Sequence, residues 1–389
     1  MGIAPARPAE ERALSRVRRV LVARLDNDGD VLLAGPAVRA VAAHADEVVL
    51  LAGPRGRRAG ELLPGVDRVV VWRAPWIDSD PPPVDPAGVT AFVRTLRGLA
   101  VDEAVLLTSF HQSPLPLALL LRLAGVPRIS AVSDDYPGSL LDVRHRVDDD
   151  LPEAERALST AAAAGFELPL GDDGRLRVRQ PLPDVSTLVG PGQGGRGKHG
   201  PARYVVVHPG ASVPARAWSP DRCAAAVVAL AEAGHRVVVT GGPAEVQLTR
   251  LVAGDAGIDL GGRTELAELA AVLAGAEAVV VGNTGPAHLA AAVGTPVASL
   301  FAPVVPAARW APYGVPRVLL GDQAAPCRGT RARVCPVPGH PCLDRVTPAD
   351  VVAAVRRLAP GRVPVPTLPP PAHPTLPPPA HPPAEVIPT

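Results

Sequence analysis

Cysteine, aromatic residues and net charge are all scarce in this chain. Its 389 residues include 4 Cys, while Phe, Tyr and Trp together make up 3%. Lys and Arg number 39 against 38 Asp and Glu, so the formal net charge is +1. Four cysteines are too few for a disulfide scaffold, and a balanced charge creates no field that gathers nucleic acid or an anionic membrane. We therefore expect a core of Val, Ala and Leu, and no nucleic-acid partner.

Long apolar runs are missing as well. The longest aliphatic stretch, residues 115–123, contains Arg122 and falls short of the roughly 20 residues that a spanning helix requires. The first residues, MGIAPARPAEERALSRVRR, lack the apolar centre of a signal peptide. We predict no membrane-spanning segment and a location in the reducing cytoplasm.

Proline is abundant, and part of the excess is local. The chain has 48 Pro, and the octapeptide TLPPPAHP occurs at residues 367–374 and again at 375–382. This composition predicts a disordered, polyproline-II-like tail over residues 361–389. Such a tail could dock into an aromatic groove on a partner, although solvated low-complexity sequence is commoner. Residues 1–17 are predicted to be a disordered arm.

Short Val/Leu-rich runs alternate with helical segments in both halves of the chain. The first series starts with RRVLVARL at residues 18–25, followed by a helical pattern over 31–43, and the second starts with RYVVVHPGAS at 203–212. Each series is typical of buried parallel strands joined by helices. The length suits two domains. The predicted fold class is α/β, with two Rossmann-like doubly wound domains over 18–185 and 203–360, a linker at 186–202, and a cleft between them.

The turn after the first strand carries a candidate functional carboxylate. In open α/β sheets, ligands lie beyond the carboxyl ends of the strands. The turn ARLDNDGD, residues 23–30, places Asp30 where the next helix is predicted to start. Asp30 either caps that helix or faces the cleft.

Two turns of the second domain are suited to an anion. HPGASVPARAWSP, residues 208–220, carries Arg216 two positions before Trp218, and its amides and guanidinium could cradle a phosphate. A solvated Arg216 is the structural alternative. GNTGPAHLAAAVGTP, residues 282–296, runs from a strand into a helix whose first amides suit a diphosphate. Two phosphate-capable turns opposite a carboxylate are typical of a transferase.

These ordered motifs resemble glycosyltransferase family 9, the heptosyltransferase family, over residues 18–358. The resemblance rests on the Gly-Asp turn, HPGAS with a basic residue before Trp, TGG at residues 240–242, and NTGPAHLAAAVGTP. It implies the GT-B fold and an inverting transfer from a nucleotide-sugar, typically ADP-heptose, to a carbohydrate or glycolipid acceptor such as the lipopolysaccharide inner core. It also implies that no metal or cofactor takes part, and that a glycolipid acceptor could bring the protein to a membrane surface.

The resemblance also implies roles for individual residues. Asp30, in the acceptor-side first domain, matches the family's general base. The donor would lie on the second domain, with Arg216 at the diphosphate; the donor-binding candidates are Ser212, Arg216, Glu245, Asn283, Thr284, Gly285 and His288. Glu245 either reaches the ribose or remains a first-turn helix carboxylate. In the acceptor loops TSFHQSP and SDDYPGS, His111 and Asp135 are candidates.

One position departs from the family pattern. Family members usually have Asp-Ser-Gly or Asp-Thr-Gly where this chain has Asn283-Thr284-Gly285. An amide can hydrogen-bond sugar hydroxyls but carries no charge. The donor sugar therefore stays open, with heptose as the family default.

A cysteine-rich loop is the remaining motif. Cys327, Cys335, His340 and Cys342 lie close together in sequence and could complete a tetrahedral zinc site, but the C-x2-C spacing of zinc knuckles is missing. Reduced thiols in a Pro-rich loop are the simpler interpretation.

Three other functions compete with sugar transfer. A GT-B epimerase acting on a UDP-sugar would need no acceptor, and the Gly-Asp turn argues mildly against it. An NAD-dependent oxidoreductase would need G-x-G-x-x-G after a strand, and neither strand-to-helix turn has it. A catalytically silent sugar-binding protein with the same fold stays open.

Overall fold

The computed structural model describes residues 18–78, 80–147, 150–190 and 204–359, together with the backbone of Glu385–Val386. The predicted disordered arm, residues 1–17, lies outside the described residues, as do 191–203 and most of the predicted tail. Within the predicted linker, Ser186–Val189 form a short helix. Within the predicted tail, Glu385–Val386 pair in parallel with Val70 and Val71.

Six parallel strands of the first domain make up most of the first, seven-stranded sheet. They are β1 (Arg19–Arg24), β2 (Glu47–Ala52), β3 (Arg68–Val71), β4 (Glu103–Leu106), β5 (Arg128–Val132) and β6 (Val143–His145), in the order β3-β2-β1-β4-β5-β6. Ala23 of β1 lies opposite Leu51 and Leu106, so the carboxyl ends of the three central strands are level. The strand order reverses between β1 and β4, which is where such sheets bind ligands.

The second sheet repeats this topology. Its strands are β7 (Val205–His208), β8 (Val237–Val239), β9 (Gly257–Asp259), β10 (Ala278–Gly282), β11 (Val297–Leu300) and β12 (Arg317–Leu320), in the order β12-β11-β10-β7-β8-β9. The short strand β13 (Glu385–Val386) extends the first sheet beside β3. Counted from its own first strand, each six-stranded sheet has the Rossmann order 3-2-1-4-5-6. This topology confirms the prediction of two doubly wound domains.

Helices connect the strands in both domains. They are α1 (Asp28–Leu33), α2 (Gly35–Ala42), α3 (Arg57–Leu62), α4 (Pro86–Gly98), α5 (Leu115–Ala124), α6 (Glu153–Ala163), α7 (Ser186–Val189), α8 (Pro220–Glu232), α9 (Val246–Ala253), α10 (Leu266–Gly275), α11 (Gly285–Ala292), α12 (Ala307–Trp310), α13 (Pro341–Asp344) and α14 (Pro348–Leu358). At α14, Thr347 Oγ1 accepts a hydrogen bond from the Asp350 N–H, so Thr347 caps the helix. In the part of the chain that the structure describes, no helix has the length and apolar character needed to cross a membrane.

The predicted helix over residues 31–43 is corrected in two respects. It consists of two helices, α1 and α2, and α1 begins at Asp28. The N-cap position belongs to Asn27, so the interpretation of Asp30 as an N-cap is wrong. Asp30 is the third residue of α1, and its Oδ2 accepts a hydrogen bond from the Asn27 N–H at 3.3 Å. A first-turn carboxylate is still favoured there because it faces the positive end of the helix dipole.

The two domains touch where α1 meets α11. A Cβ atom added to Gly29 would lie 3.0 Å from His288 Cδ2 and 3.1 Å from the Gly285 Cα. Only a residue without a side chain allows so close an approach. Elsewhere, the Tyr313 hydroxyl donates a hydrogen bond to Glu155 Oε1 at 3.1 Å. Because α1 follows β1 and α11 follows β10, the carboxyl ends of both sheets open into one shared cleft.

Candidate functional site

Asp30 lies at the cleft with its carboxylate accessible. Its side chain is 17% exposed, and its Oδ1 lies 3.2 Å from Arg24 Nη2. Its negative charge acts on Arg216 of the second domain. Asp30 on α1 and Arg216 in the turn after β7 therefore lie on the two sides of the cleft, and the charge of one acts on the other.

A buried arginine holds the Asp30 carboxylate in place. Arg24, the last residue of β1, is 2% exposed, and its Nε lies 2.9 Å from Asp26 Oδ2. Its Nη2 donates to Ser109 Oγ at 2.8 Å, and its Nη1 lies 3.5 Å from Glu153 Oε2. Burial opposes the charge of Arg24, but the surrounding carboxylates outweigh that effect and raise the pKa of its guanidinium.

The carboxylates around Arg24 are themselves perturbed. Burial raises the pKa of Asp26, although Arg24 and a hydrogen bond from Gln112 oppose the shift. Burial likewise raises the pKa of Glu153, which projects from α6 and is 1% exposed. One fully buried cation therefore balances several carboxylates, two of which have a reduced tendency to ionise.

Arg216 ends a 3-10 helix, Pro214–Arg216, in the turn after β7. Its Nε is buried and has no hydrogen-bond partner among the described residues. Burial lowers the pKa of Arg216; Asp30 opposes that shift, and the charges of Arg331 and Arg333 add to it. A guanidinium in these surroundings gains from binding an anion.

The turn after β10 contains further buried polar atoms without partners. Asn283 Nδ2 donates to the Ala302 carbonyl at 3.4 Å, which leaves Asn283 Oδ1 unpaired among the described residues. His288 Nδ1, on α11, and Trp218 Nε1, in the turn after β7, also have no hydrogen-bond partner among the described residues. Burial, with a contribution from Arg216, lowers the pKa of His288 to about 4. Thr284 is the N-cap residue of α11 and makes no side-chain cap hydrogen bond, and Gly285 is the first residue of that helix.

The other two donor-binding candidates occupy the edge of this region. Ser212 is exposed in the turn after β7. Glu245 Oε2 accepts a hydrogen bond from the Gly242 N–H at 2.8 Å and lies 4.0 Å from His208 Nε2. Glu245 therefore caps the helical turn that follows TGG, which is the structural alternative raised for it, and its contact with a ribose stays a prediction.

The two acceptor-binding candidates, His111 and Asp135, have different surroundings. Burial, followed by the charge of Arg331, lowers the pKa of His111 to about 4, and Asp26 opposes the shift. The His111 side chain is exposed, and charges from both domains act on it. Asp135 is exposed in the loop after β5, and it is the neighbouring Asp134 whose charge acts on Arg156 near Glu153.

Two arginines of the second domain contact Phe110, in the loop after β4. The Cζ of Arg309 lies 4.0 Å from the centre of the Phe110 ring, and the Cζ of Arg331 lies 5.6 Å from it. Guanidinium groups over an aromatic ring make favourable cation–π contacts. Phe110 therefore links the loop after β4 to the second domain, next to His111.

The cysteine-rich loop brings thiols together. Burial, together with the adjacent Cys327, raises the pKa of Cys342 to about 12, with a smaller contribution from Cys335. His340 Nε2 is buried and has no partner among the described residues. Across the described ranges, no group of three or more His, Cys, Asp or Glu side chains is arranged to hold a metal ion.

The sequence analysis did not identify Arg24, Arg331, Arg333 or Glu153 as candidates. One signal was available, because Arg24 is a charged residue in the otherwise apolar strand RVLVAR, and such a residue in a central strand needs a buried partner. Arg331 and Arg333 lie inside the loop that was interpreted only through its cysteines. No local pattern pointed to Glu153, since α6 is far from Asp30 in sequence.

The sequence profile described as glycosyltransferase family 9 (heptosyltransferase) matches residues 89–339. The chain belongs to glycosyltransferase family 9. Lipopolysaccharide heptosyltransferase 3 of Escherichia coli is 31% identical over 166 residues, which cover 40% of this chain and 47% of that relative. The chain thus spans about half the length of the curated relatives that it matches.

Solved structures of family 9 members share the GT-B fold of this chain. The E. coli ADP-heptose lipopolysaccharide heptosyltransferase II is 18% identical with a TM-score of 0.65, covering 88% of this chain and 98% of that one. A family 9 glycosyltransferase of Veillonella parvula is 16% identical with a TM-score of 0.67, covering 88% and 97%. The E. coli heptosyltransferase WaaC, solved with ADP, is 19% identical with a TM-score of 0.60, covering 88% and 99%.

Proposed function

We propose that this family 9 protein is an inverting glycosyltransferase that moves a sugar from a nucleotide-sugar to a carbohydrate or glycolipid acceptor. ADP-heptose is the first donor to consider, because the solved structure of WaaC contains ADP and the curated relatives are lipopolysaccharide heptosyltransferases. Lipopolysaccharide core synthesis in the cytoplasm, with the acceptor at a membrane surface, belongs to the same proposal.

The observation that carries the proposal is that α1, which holds Asp30, packs against α11 of the second domain, and that the charge of Asp30 acts on Arg216. An inverting displacement needs a base on one face of the sugar carbon and stabilisation of the leaving group on the other. The first domain contributes an accessible carboxylate, and the second contributes a half-buried guanidinium. The two charges belong to different domains, so donor and acceptor can bind on opposite sides of the reacting carbon.

In the proposed reaction, Asp30 takes the proton from an acceptor hydroxyl. The hydroxyl oxygen then forms a bond to the anomeric carbon of the donor sugar as the bond to the diphosphate oxygen breaks. Arg216 and the N–H of Gly285, the first residue of α11, offset the charge that develops on the leaving diphosphate. In this proposal guanidinium and amide groups, rather than a metal ion, perform that task.

The unpaired buried atoms support a polar ligand on the second domain. An unsatisfied buried donor or acceptor costs about 1–3 kcal/mol. Arg216 Nε, Trp218 Nε1, Asn283 Oδ1 and His288 Nδ1 are all without partners among the described residues. Sugar hydroxyls and phosphate oxygens are the groups that would satisfy them, and Asn283 Oδ1 would accept from a hydroxyl rather than bind a cation.

The test is a thermal-shift screen with ADP, GDP, UDP and their sugar derivatives, followed by an assay for the released nucleoside diphosphate. A ligand at about 100 times its Kd adds about 2.7 kcal/mol of stability. Arg216→Ala should raise the Kd of the bound nucleotide by roughly 10- to 100-fold. Arg250→Ala, which changes an exposed arginine on α9 of the same domain, should leave it unchanged.

Each outcome has a distinct meaning. Stabilisation by UDP but not ADP would replace the donor nucleotide and favour the epimerase alternative. Binding of a sugar nucleotide without transfer to any acceptor would favour a silent sugar-binding protein. Stabilisation by no nucleotide contradicts the proposal as a whole.

A further inference from the structure

The strongest feature left unexplained is a group of arginines in the loop between Cys327 and Cys342. Arg331 and Arg333 are both exposed, and their positive charges act on Arg216. Among the described residues, none of these three arginines forms an ion pair with a carboxylate. In the part of the chain that the structure describes, the acidic group whose charge acts on Arg216 is Asp30.

The fold holds these cations together instead of letting them separate. The Ala215 N–H donates to the Arg333 carbonyl at 2.9 Å, which fastens the loop to the residue next to Arg216. The Arg331 N–H donates to the Val304 carbonyl at 2.8 Å, and the Gly329 N–H donates to the Pro303 carbonyl at 2.9 Å. The charges of Arg331 and Arg333 act on Arg216, and like charges repel one another, so the arrangement favours binding of a multiply charged anion.

The backbone at Arg331 supports the same conclusion. Its φ is 55°, in the left-handed region, which is unfavourable for a residue with a side chain. Strain of this kind is typically kept at ligand sites. It leaves the guanidinium 5.6 Å from the Phe110 ring centre and close enough to His111 for its charge to act there. Arg331 therefore stands between the donor-side arginine and the acceptor-side histidine.

We propose that Arg331 and Arg333 join Arg216 to form a three-arginine site for the diphosphate of the donor. This inference rests on the proposed function for the identity of the ligand, and it assigns a purpose to the loop that carries the cysteines. The buried thiols of Cys327 and Cys342 lie at the base of the loop. The loop presents two guanidiniums that the strand-end turns of the sheet do not supply.

The test is calorimetric titration of the full chain with inorganic pyrophosphate and with ADP. The variants are Arg331→Asn, which suits a left-handed backbone, and Arg333→Gln. Each should raise the Kd of pyrophosphate roughly tenfold or more, since each removes charge-assisted hydrogen bonds to phosphate oxygens. Each should also weaken the dependence of binding on salt concentration. Arg328→Gln is the matched control, because it removes an exposed arginine of the same loop and should change neither Kd.

The outcomes separate this inference from the proposed function. Pyrophosphate binding that depends on Arg331 and Arg333, without binding of any nucleotide, supports the site and contradicts the function. Wild-type affinity of Arg331→Asn and Arg333→Gln for both ligands, with Arg216→Ala defective, overturns the site and leaves the function standing. Unchanged ligand affinity with lost sugar transfer would assign these arginines to the acceptor and also overturn the inference. A wild-type chain that binds neither ligand contradicts both.

Discussion

Asp30 has a structural role at the start of α1 and a proposed chemical role, and a single substitution can separate the two. Its Oδ2 accepts a hydrogen bond from the Asn27 N–H, and its Oδ1 lies 3.2 Å from Arg24 Nη2. Asparagine keeps a side-chain oxygen at this position, so the helix start is preserved, but it cannot take a proton from a hydroxyl. The structural and the chemical contribution of Asp30 are therefore measurable one at a time.

We expect Asp30→Asn to lower turnover by about 10²- to 10⁴-fold, the usual contribution of general base catalysis. Donor affinity and melting temperature should change little. Asp28→Asn is the matched control, because Asp28 lies in the same first turn and accepts a hydrogen bond from the Ala59 N–H of α3. Steady-state kinetics on both variants measure the turnover that each carboxylate supports. If Asp28→Asn shows the loss and Asp30→Asn does not, another carboxylate is the base.

Arg24 is the residue whose loss should be most costly to the fold. Arg24→Met would leave Asp26 and Glu153, which are 9% and 1% exposed, without their cation. Breaking a buried ion pair typically costs about 3–5 kcal/mol, measurable by chemical denaturation. Arg57→Met, which removes an exposed pair with Glu61, should cost less than about 1 kcal/mol.

The pH dependence gives this prediction a second readout. Burial already raises the pKa of both Asp26 and Glu153. A carboxyl whose folded pKa is raised favours the folded state more as the pH falls. The stability gap between wild type and Arg24→Met should therefore be smaller at pH 5 than at pH 8. A gap independent of pH would mean that lost packing, not unpaired charge, causes the destabilisation.

At the scale of elements, the contact between α1 and α11 sets the distance between Asp30, the proposed base, and the proposed donor site on the second domain. Gly29→Ala would bring a Cβ to within 3.0 Å of His288 Cδ2. Helix α1 would then have to move away from α11 by a few tenths of an ångström. The larger side chain of Gly29→Val would require a larger movement. Because misplacement by about 1 Å can cost 10²-fold in rate, we expect turnover to fall in the order Gly, Ala, Val. Nucleotide affinity, which belongs to the second domain, should change less.

Gly98→Ala controls for the loss of a glycine from a helix, because a Cβ there would meet nothing within 4 Å. It should keep full turnover. Equal losses of turnover in Gly98→Ala and Gly29→Ala would show that the α1–α11 contact does not position the base.

The elements also show what the sequence could predict. Apolar runs such as EVVLLA and helices with clear boundaries such as α4 and α14 follow from local pattern, and the structure has them where expected. The three-residue strands β6 and β9 carry too little pattern to be found. The ion network at Arg24 joins β1 to α6, 129 residues apart, and no local pattern encodes such a distant pairing. The residues of the candidate site in the turns after the strands could therefore be predicted. Those that come from other elements, such as Glu153 on α6, could not.

At the scale of the whole molecule, stability should depend on pH through a buried histidine. Burial lowers the pKa of His288 from 6.5 to about 4, so the folded state keeps it neutral while the unfolded chain protonates. A depressed histidine stabilises the fold above pH 6.5, and this contribution is lost as the pH falls towards 4. The expected loss is roughly 2 kcal/mol between pH 8 and pH 5. Urea denaturation at both values, on wild type and His288→Gln, should show a flatter pH dependence for the variant; identical slopes would contradict the assignment.

The shared strand order of the two sheets has a consequence for how such a chain can acquire new chemistry. The turn after the first strand of one sheet carries the carboxylate Asp30, and the turn after the first strand of the other carries the guanidinium of Arg216. Equivalent turns in two sheets of the same strand order thus hold side chains of opposite charge. Exchange of a single turn between related chains would alter what one half recognises while both sheets and their cores stay intact. The molecule is in this sense modular, and its substrate range can diversify one half at a time.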